Sequence, residues 1–339
     1  MGKILIGAGG TAGHLIPAQE LARRLGKLQR APQILFAGGK LSQNRFFEKE
    51  LPHVDLPAAT LSVKRPFKAP RVAWGILKAW RLLGTYRPDL VVGFGSYHTF
   101  PLLMAARLRG LPFVLHEGNA FPGRVTRLFA KHAVLTGLQF PGAAEHLKGR
   151  CVPVELHRPF EPLDEEAICH TFTVLVFGGS QGAASLNGVV SEALCKLNAP
   201  LRVIHLTGDE RSVEAVKRRY EEREIRAFVS PFEHRMDLAW QAADLVICRA
   251  GAATCAEQVR FGTPAIMVPY PHATDRHQHH NASELERKGG VIKLEERRLR
   301  EQLLPLLEDL VGGGVRQCQR IQEEPHDFAQ VIAEVAGWA

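Results

Sequence analysis

The sequence predicts an α/β protein made of two doubly wound domains, each with a mostly parallel sheet. Two glycine-rich loops, at residues 7–14 (GAGGTAGH) and 178–185 (GGSQGAAS), each follow a short apolar strand and open a helix-like segment. Short apolar runs also alternate with amphipathic segments in both halves, a pattern typical of parallel strands buried on both faces. A length of 339 residues favours two domains over one.

The first half of the chain alternates between strand and helix patterns. Strands are predicted at residues 3–6, 33–37, 90–94 and 113–116, and helices at residues 16–28 and 99–109. A run rich in proline and charge follows Pro153 and predicts a linker. We therefore predict a first domain at residues 1–155 and a linker at residues 156–170.

The same alternation restarts after the linker and predicts a second domain at residues 171–324. Strands are predicted at residues 173–177, 201–206, 227–229, 244–248 and 265–268, and helices at residues 186–197, 212–222 and 297–309. Three glycines at residues 312–314 predict the end of the last helix. Ligands of doubly wound folds bind at the carboxyl ends of the strands, which is where both glycine loops fall.

Composition and charge favour a cytosolic protein with an anionic partner. The 43 lysines and arginines against 35 acidic residues give a net charge of +8, which favours a nucleotide, a lipid headgroup or a nucleic acid without choosing among them. No segment is apolar for long enough to cross a bilayer, and the first residues lack the pattern of a signal peptide. The six cysteines show no metal-binding spacing, so we interpret them as reduced thiols.

The first glycine loop predicts an anion site with a histidine beside it. A helix that opens directly after a strand offers backbone N–H groups and the positive end of its dipole, which suit a phosphate. No acidic residue follows the second predicted strand, where GGK stands, and this argues against a nicotinamide cofactor. The dipole would keep the His14 imidazole neutral and able to accept a proton from a hydroxyl. The alternative is that His14 only caps the helix.

The stretch at residues 243–282 carries the most specific pattern in the second half. A predicted strand runs into a loop of small residues after Arg249, and Thr254 then stands where a helix N-terminus would present a hydroxyl to a diphosphate. Glu257 follows one turn later and could accept two hydrogen bonds from the vicinal hydroxyls of a ribose. The alternative is a first-turn glutamate that only stabilises its helix.

Six blocks in the same order across nearly the whole chain resemble one known family. They are GGTAGH, GFGSYHTFP, LHEGNAFPG, GGSQGAASLN, CRAGAATCAE and DRHQHHNA. Together they are similar to the MurG family of bacterial N-acetylglucosaminyltransferases. The resemblance implies a GT-B fold with two Rossmann-like domains that face a cleft, and by analogy it returns the segment at residues 325–339 to the first domain.

The same resemblance implies a reaction and a cellular location. Family members transfer N-acetylglucosamine, with inversion, from UDP-N-acetylglucosamine (UDP-GlcNAc) to the 4-hydroxyl of the muramoyl sugar of lipid I, which gives lipid II for peptidoglycan. The second domain would hold the donor, and the first would face the lipid-linked acceptor. The protein would lie peripherally on the cytoplasmic face of the plasma membrane, with no nucleic acid among its partners.

Site residues also follow from the resemblance, motif by motif. Inversion requires direct attack on the anomeric carbon, so a base must take the acceptor proton, and His14 is the candidate. The implied donor-binding residues are Thr11, Ala12, Gly13 and Asn119 in the first domain; Ser180, Gln181, Gly182, Ala252, Ala253, Thr254 and Arg249 at the diphosphate; Glu257 at the ribose; Gln278 at the sugar; and Phe232 with Glu233 at the uracil. The chain contains no Asp-x-Asp pair, so we predict no metal and no other cofactor.

The chain departs from the family pattern at one charged position. Glu155 stands where the family commonly has a donor-binding arginine, and Gly118 and Arg127 also differ from the usual residues. We hypothesise that Arg158 or Arg127 supplies the missing charge, in which case alanine at both positions would weaken donor binding.

A basic and tryptophan-rich segment at residues 64–87 predicts contact with a membrane. It interleaves Trp74 and Trp80 with seven lysines and arginines. Such a helix can lie at an anionic bilayer surface, with its apolar face in the headgroup boundary. The alternative is an ordinary amphipathic helix that covers the sheet.

Three other functions fit part of the pattern. A UDP-GlcNAc 2-epimerase would share the fold and the donor but would need acid and base carboxylates around the sugar. A related transferase would keep the donor loops and act on another lipid acceptor. A protein that has lost turnover, as Glu155 would allow, would act as a membrane scaffold.

Overall fold

The computed structural model of the chain describes residues 2–59, 69–156, 160, 162–163, 171–179, 183–313 and 325–338. The chain divides into two compact units. Unit 1 comprises residues 1–158 and 323–339, and unit 2 comprises residues 159–322. Each unit contains one parallel sheet.

Unit 1 is built on a sheet of eight strands in which every neighbouring pair is parallel. The strands are β1 (Lys3–Gly7), β2 (Gln33–Gly38), β3 (His53–Asp55), β4 (Leu90–Gly93), β5 (Phe113–Glu117), β6 (Thr136–Leu138), β7 (Cys151–Glu155) and β14 (His326–Asp327). The helices are α1 (Ala12–Leu25), α2 (Ala69–Tyr86), α3 (Ser96–Leu108), α4 (Arg124–Phe129) and α11 (Phe328–Ala336). The strand order is β14-β7-β6-β5-β4-β1-β2-β3.

Two hydrophobic layers cover the faces of this sheet. Ile4 and Ile6 of β1 join a core with Leu15 of α1 and Phe328 of α11, whereas Leu5 joins a second core that includes residues of α2 and α3. The alternation follows from the two-residue period of a strand, which sends successive side chains to opposite faces. Both faces of β1 are therefore covered by helices, which explains its unbroken apolar sequence.

Unit 2 repeats this architecture with six parallel strands. The strands are β8 (Thr173–Phe177), β9 (Arg202–Leu206), β10 (Arg226–Ser230), β11 (Leu245–Cys248), β12 (Ala265–Met267) and β13 (Val291–Lys293), in the order β10-β9-β8-β11-β12-β13. The helices are α5 (Ala184–Lys196), α6 (Glu210–Glu221), α7 (Met236–Gln241), α8 (Ala252–Phe261), α9 (His277–Lys288) and α10 (Leu299–Gly313). The predicted fold class, two doubly wound α/β domains, is confirmed.

Some predicted bounds differ from the observed ones for identifiable reasons. α1 begins at Ala12, not at residue 16, because its first turn is made of Ala12, Gly13 and His14, which carry no apolar periodicity. β7 was not predicted, because Pro153 interrupts its apolar pattern, and it ends at Glu155, the residue predicted to end the first domain. α10 continues to Gly313, although the triple glycine was predicted to end it earlier. Most of the predicted linker lies outside the described residues.

Among the described residues, no helix is long and apolar enough to span a membrane. α2 has eighteen residues, but one of its faces is buried inside unit 1. This face is formed by Val72, Gly75, Ala79 and Leu83. Its neighbour in the fold is α3. Part of this helix therefore covers the sheet, which agrees with the alternative interpretation of residues 64–87 as an amphipathic helix on the sheet.

Candidate active site

Each sheet has one point where the strand order reverses, and the glycine loops lie there. In unit 1 the reversal lies between β1 and β4, and in unit 2 it lies between β8 and β11. At such a point the two following segments leave in opposite directions and open a crevice at the carboxyl edge of the sheet. The first glycine loop follows β1 and the second follows β8. Ser180, Gln181 and Gly182 of the second loop lie outside the described residues.

His14 lies in the first turn of α1, beside the reversal point of unit 1. Its Nδ1 is 3.2 Å from the hydroxyl oxygen of Thr11, the N-cap residue. When Nδ1 carries the proton and donates it to Thr11, the lone pair of the ring lies on Nε2. A neutral imidazole of this tautomer can accept a proton at Nε2.

Gly95, two residues after the end of β4, faces this imidazole. Its φ is 48°, in the left-handed region that favours glycine. A Cβ at this position would lie 3.5 Å from Nε2 of His14 and 3.8 Å from the hydroxyl oxygen of Thr126. The His14 ring and the Thr126 hydroxyl therefore both face the same glycine.

Glu117 organises the segment after β5, a role that sequence reasoning missed. Its buried carboxylate accepts hydrogen bonds from the backbone N and the side-chain Nδ2 of Asn119 at 3.0 Å each, from the backbone N of Gly123 at 3.0 Å, and from the Thr126 hydroxyl at 2.6 Å. Asn119 was predicted to reach the donor, and the structure shows that its amide is oriented by Glu117. A carboxylate at the end of a strand that begins with three apolar residues is the sequence signal that could have identified it.

Two helices of unit 2 begin side by side at its reversal point. Phe177 of β8 is in register with Cys248 of β11, and α5 and α8 begin a few residues after these strands. Neither helix has a side-chain cap or an acidic residue in its first turn. Two positive dipole ends and two sets of first-turn N–H groups at one edge form an arrangement suited to a diphosphate.

The predicted diphosphate residues of α8 occupy its first turn. Gly251 is the N-cap, Ala252 and Ala253 are half-buried, and Thr254 is buried with its hydroxyl oxygen 3.8 Å from the position of a Cβ on Gly251. Asn281 of α9 donates from Nδ2 to the Ala250 carbonyl at 3.1 Å. This bond ties the loop before α8 to α9.

Arg249 was predicted to direct its charge at the diphosphate, but in the structure its guanidinium binds groups of unit 2 itself. The side chain is buried, and Nη1 donates to the carboxylate of Glu296 at 2.9 Å and to the carbonyl of Val268 at 3.2 Å. Nη2 donates to the hydroxyl of Ser185 at 3.3 Å. The guanidinium is thus engaged within unit 2, in a network that sequence spacing did not indicate.

Glu257 points toward the indole of Trp240, another residue that sequence reasoning missed. Nε1 of Trp240 donates to Oε2 of Glu257 at 3.0 Å. Burial raises the pKa of Glu257 from 4.5 to about 7, although the Trp240 bond acts in the opposite direction. The carboxyl group is therefore partly protonated near neutral pH.

Gln278 and Glu233 both have defined orientations. Oε1 of Gln278 accepts a hydrogen bond from the backbone N of Tyr270 at 2.9 Å, which directs the amide donors away from that backbone. Asp275 and Arg276 precede α9 with φ values of 49° and 51°, a conformation unusual outside glycine. Oε1 of Glu233 accepts from the backbone N of Arg235 at 2.7 Å, beside the exposed Phe232.

The histidines near α9 have separate partners. Nδ1 of His277 lies 2.7 Å from the Thr274 carbonyl, and Nε2 of His279 lies 3.2 Å from the Glu295 carboxylate. Across the described part of the chain, no group of three or more His, Cys, Asp or Glu residues is arranged to hold a metal ion.

The structure describes only one of the two arginines that were predicted to replace the missing family arginine. Arg127 is exposed and its guanidinium lies 4.8 Å from the centre of the Phe121 ring. Arg158 lies outside the described residues. Glu155 ends β7 in register with Asp327 of β14. The compensating charge thus stays a prediction.

Two parallel sheets with glycine loops at their reversal points match the GT-B class of glycosyltransferases, and the family models and structural comparison show that class for this chain. Residues 4–135 match the family model described as the glycosyltransferase family 28 N-terminal domain, and residues 173–335 match the family 28 C-terminal domain. The crystal structure of Acinetobacter baumannii MurG superposes with a TM-score of 0.77, at 27% identity, over 100% of both chains. The chain belongs to the MurG family, and the resemblance noted in the motifs is confirmed.

Curated relatives carry one name that describes a transferase. The Protochlamydia amoebophila protein is 39% identical, and the aligned region covers 91% of this chain and 87% of that protein. The Salinibacter ruber protein is 35% identical, and the aligned region covers 96% of this chain and 92% of that protein. Both are named UDP-N-acetylglucosamine–N-acetylmuramyl-(pentapeptide) pyrophosphoryl-undecaprenol N-acetylglucosamine transferase.

Proposed function

We propose that this chain transfers N-acetylglucosamine from UDP-GlcNAc to the 4-hydroxyl of the muramoyl sugar of lipid I, with inversion, to form lipid II. The observation that carries this proposal is membership of the MurG family over nearly the whole chain. The site supports it, because the first-turn amides of α5 and α8 are suited to the diphosphate of such a donor.

In the proposed reaction, His14 is the general base. Nε2 takes the proton of the 4-hydroxyl as its oxygen forms a bond to the anomeric carbon. The bond between that carbon and the β-phosphate oxygen breaks, and its electron pair leaves with UDP. The Thr11 hydroxyl favours the required tautomer by accepting from Nδ1.

The proposed donor contacts follow the chemistry of each group. The first turns of α5 and α8, with Ser180, Gln181, Gly182, Ala252, Ala253 and Thr254, stabilise the charge that develops on the departing diphosphate. Glu257 accepts from the ribose hydroxyls, Gln278 donates to the sugar, and the segment at Phe232 and Glu233 borders the uracil. Thr11, Ala12, Gly13 and Asn119 contact the same donor from unit 1.

The proposal is tested by single-turnover transfer of labelled GlcNAc from UDP-GlcNAc to a short-chain lipid I analogue. We expect a disaccharide product with inverted configuration at the new bond. Formation of UDP-N-acetylmannosamine without acceptor would instead indicate a 2-epimerase. Folded protein that binds UDP but transfers to no acceptor would indicate a scaffold.

We further propose that unit 1 contacts an anionic membrane surface, on the cytoplasmic face, through the exposed side of α2. Trp74, Leu77 and Trp80 are exposed by 47%, 40% and 37%, although the opposite face of α2 is packed. Nζ of Lys78 lies 5.9 Å from the Trp74 ring, and the Arg109 guanidinium lies 4.2 Å from the Trp80 ring. Aromatic side chains flanked by cations suit the boundary between headgroups and acyl chains. Lys64, Arg65 and Lys68 of the predicted segment lie outside the described residues.

The double substitution Trp74→Ala, Trp80→Ala is expected to weaken binding to phosphatidylglycerol vesicles by at least about tenfold, because two aromatic side chains no longer enter the interface. Cosedimentation with vesicles measures the change, and phosphatidylcholine vesicles report the charge dependence. The matched control is Phe228→Ala, which removes an aromatic side chain of similar exposure from unit 2. Equal vesicle binding by the double variant and the control would contradict the proposal.

A further inference from the structure

Arg249 is the buried centre of an ionic network at the carboxyl edge of the unit 2 sheet, and its partner Glu296 is partly exposed. It directly follows β11, and its guanidinium donates to the carbonyls of Val268 and Pro269, which follow β12, at 3.2 Å and 3.4 Å. It also forms the ion pair with Glu296 at 2.9 Å. One side chain therefore joins the ends of two neighbouring strands to the turn that precedes α10.

Ser185 extends this network to the second glycine loop. It is the second residue of α5, and its hydroxyl donates to Oε1 of Glu296 at 2.6 Å while it accepts from Nη2 of Arg249 at 3.3 Å. Burial would raise the pKa of Glu296, but the hydrogen bonds from Arg249 and Ser185 outweigh it, and the pKa lies below its usual value. The carboxylate is thus ionised and holds both neighbours.

The network connects the two helices that would bind the diphosphate. α5 begins after β8, α8 begins after β11, and these strands are adjacent in the sheet. Arg249 stands two residues before the N-cap of α8, and Ser185 lies in the first turn of α5. Fixing these two residues to one carboxylate fixes the first turn of α5 relative to the start of α8.

We propose that Arg249, Glu296 and Ser185 form a positioning unit that aligns the N-termini of α5 and α8 on one diphosphate. This inference rests on the proposed function, since it assumes a nucleoside diphosphate donor. Arg249 acts here through the backbone it holds and does not contact the phosphates. The positive charge that the phosphates meet comes from the two helix ends.

The charge balance of the network supports a positioning role. A guanidinium reserved for phosphate would have to leave Glu296 and two carbonyls, and would leave a carboxylate that is only 24% exposed without its cation. Breaking a partly buried pair in this way is costly because the remaining charge is incompletely solvated. The same geometry fixes the first turn of α5 and the start of α8 before a donor binds, which favours tight binding.

Two substitutions distinguish a positioning role of Arg249 from a direct phosphate contact, because the two models predict different UDP affinities for Glu296→Gln. Glu296→Gln keeps an oxygen that can accept from Ser185 but removes the negative charge that fixes Arg249. Positioning predicts that Glu296→Gln and Arg249→Met each raise the Kd of UDP by about tenfold, and that the double variant is little worse than either. A direct phosphate contact predicts that Arg249→Met weakens UDP binding while Glu296→Gln leaves it unchanged or strengthens it.

The experiment is calorimetric titration of the full chain with UDP and, separately, with uridine. Uridine lacks the diphosphate, so its Kd is expected to stay within about twofold in both variants, whereas general damage to unit 2 would weaken both ligands. The matched control is Glu192→Gln, which breaks an exposed ion pair of α5 with Lys196 and should change neither Kd.

Three outcomes would overturn the inference. They are UDP binding that is unchanged in Glu296→Gln, whatever the result for Arg249→Met, tighter UDP binding in Glu296→Gln, and equal losses for UDP and uridine. In each of these cases wild-type protein still binds UDP and the proposed donor stands. If wild-type protein binds no UDP, the proposed donor and this inference fall together.

Discussion

Replacing His14 with alanine is expected to lower kcat by about 10²–10⁴-fold, the range by which a positioned general base accelerates proton transfer. The acceptor hydroxyl is a weak nucleophile until its proton is removed, and the proposed chemistry places that step at Nε2. Binding of UDP-GlcNAc to the variant should change little, because the lost group acts on the acceptor. Single-turnover transfer of labelled GlcNAc to a lipid I analogue measures the rate, and titration measures donor affinity.

The Thr11→Val variant is the control for this prediction. It keeps the imidazole but removes the hydroxyl that lies 3.2 Å from Nδ1. We expect a smaller loss of kcat, of about tenfold, because the tautomer with the proton on Nδ1 is then less favoured. Normal turnover by the His14→Ala variant would eliminate His14 as the base and leave only its contribution to the start of α1.

Replacing Glu257 with alanine is expected to weaken UDP-GlcNAc binding by about a hundredfold. Two hydrogen bonds from the ribose to a carboxylate are lost, and hydrogen bonds to charged groups contribute about 1.5–3 kcal/mol each. The indole N–H of Trp240 also loses its acceptor. Glu257→Gln keeps an acceptor for Trp240 and should give a smaller loss. Its loss relative to wild-type protein reports the charge, and the further loss in Glu257→Ala reports the side-chain oxygen.

The pH dependence of donor binding gives an independent test of Glu257. With a pKa of about 7, the carboxylate fraction in the free protein rises between pH 6 and pH 8. We expect UDP-GlcNAc affinity to increase by about tenfold over this interval, since the ionised form is the one that accepts from the ribose. UDP-GlcNAc is the appropriate ligand because its diphosphate, unlike that of UDP, has no terminal phosphate that titrates near pH 6.

Unfolding stability should respond to pH in the opposite direction. The pKa of Glu257 is raised above its ordinary value, so its contribution to stability is full below about pH 4.5 and is lost as pH rises through about 7. Trp240→Phe removes a hydrogen bond that lowers this pKa and should move the midpoint of donor binding to higher pH. Donor affinity that does not vary with pH in wild-type protein would contradict the assignment of Glu257 to the ribose.

Sequence pattern was sufficient for the fold class because strand periodicity and glycine loops are local signals. Strand β8 was predicted with its observed bounds, and β1 to within one residue. Helix starts were less accurate where the first turn has no apolar period, as in α1 and in α3, which begins at Ser96. The short strands β3, β6, β13 and β14 were not predicted, since runs of two or three residues acquire their structure from the neighbouring strand.

Site residues were predictable where a sequence motif indicates the chemical role of the residue, as for His14 and Glu257. They were less predictable where a residue acts through its contacts. Glu117, Trp240 and Glu296 gain their roles by hydrogen bonding to residues between two and 111 positions away. Spacing along the chain carries little information about such pairs. Arg249 was identified as a site residue, but its partners could only be found in the folded structure.

The return of the C-terminal segment to unit 1 has a consequence for biosynthesis. Phe328 is fully buried beside Phe94 and His116, and β14 pairs with β7 at one edge of the sheet. A nascent chain that has just emerged through residue 322 contains every segment of unit 2 but lacks the last strand and helix of unit 1. The half of the protein that is translated first is therefore the half that completes its hydrophobic core last, and the ribosome must finish the chain before His14 stands on a fully assembled sheet.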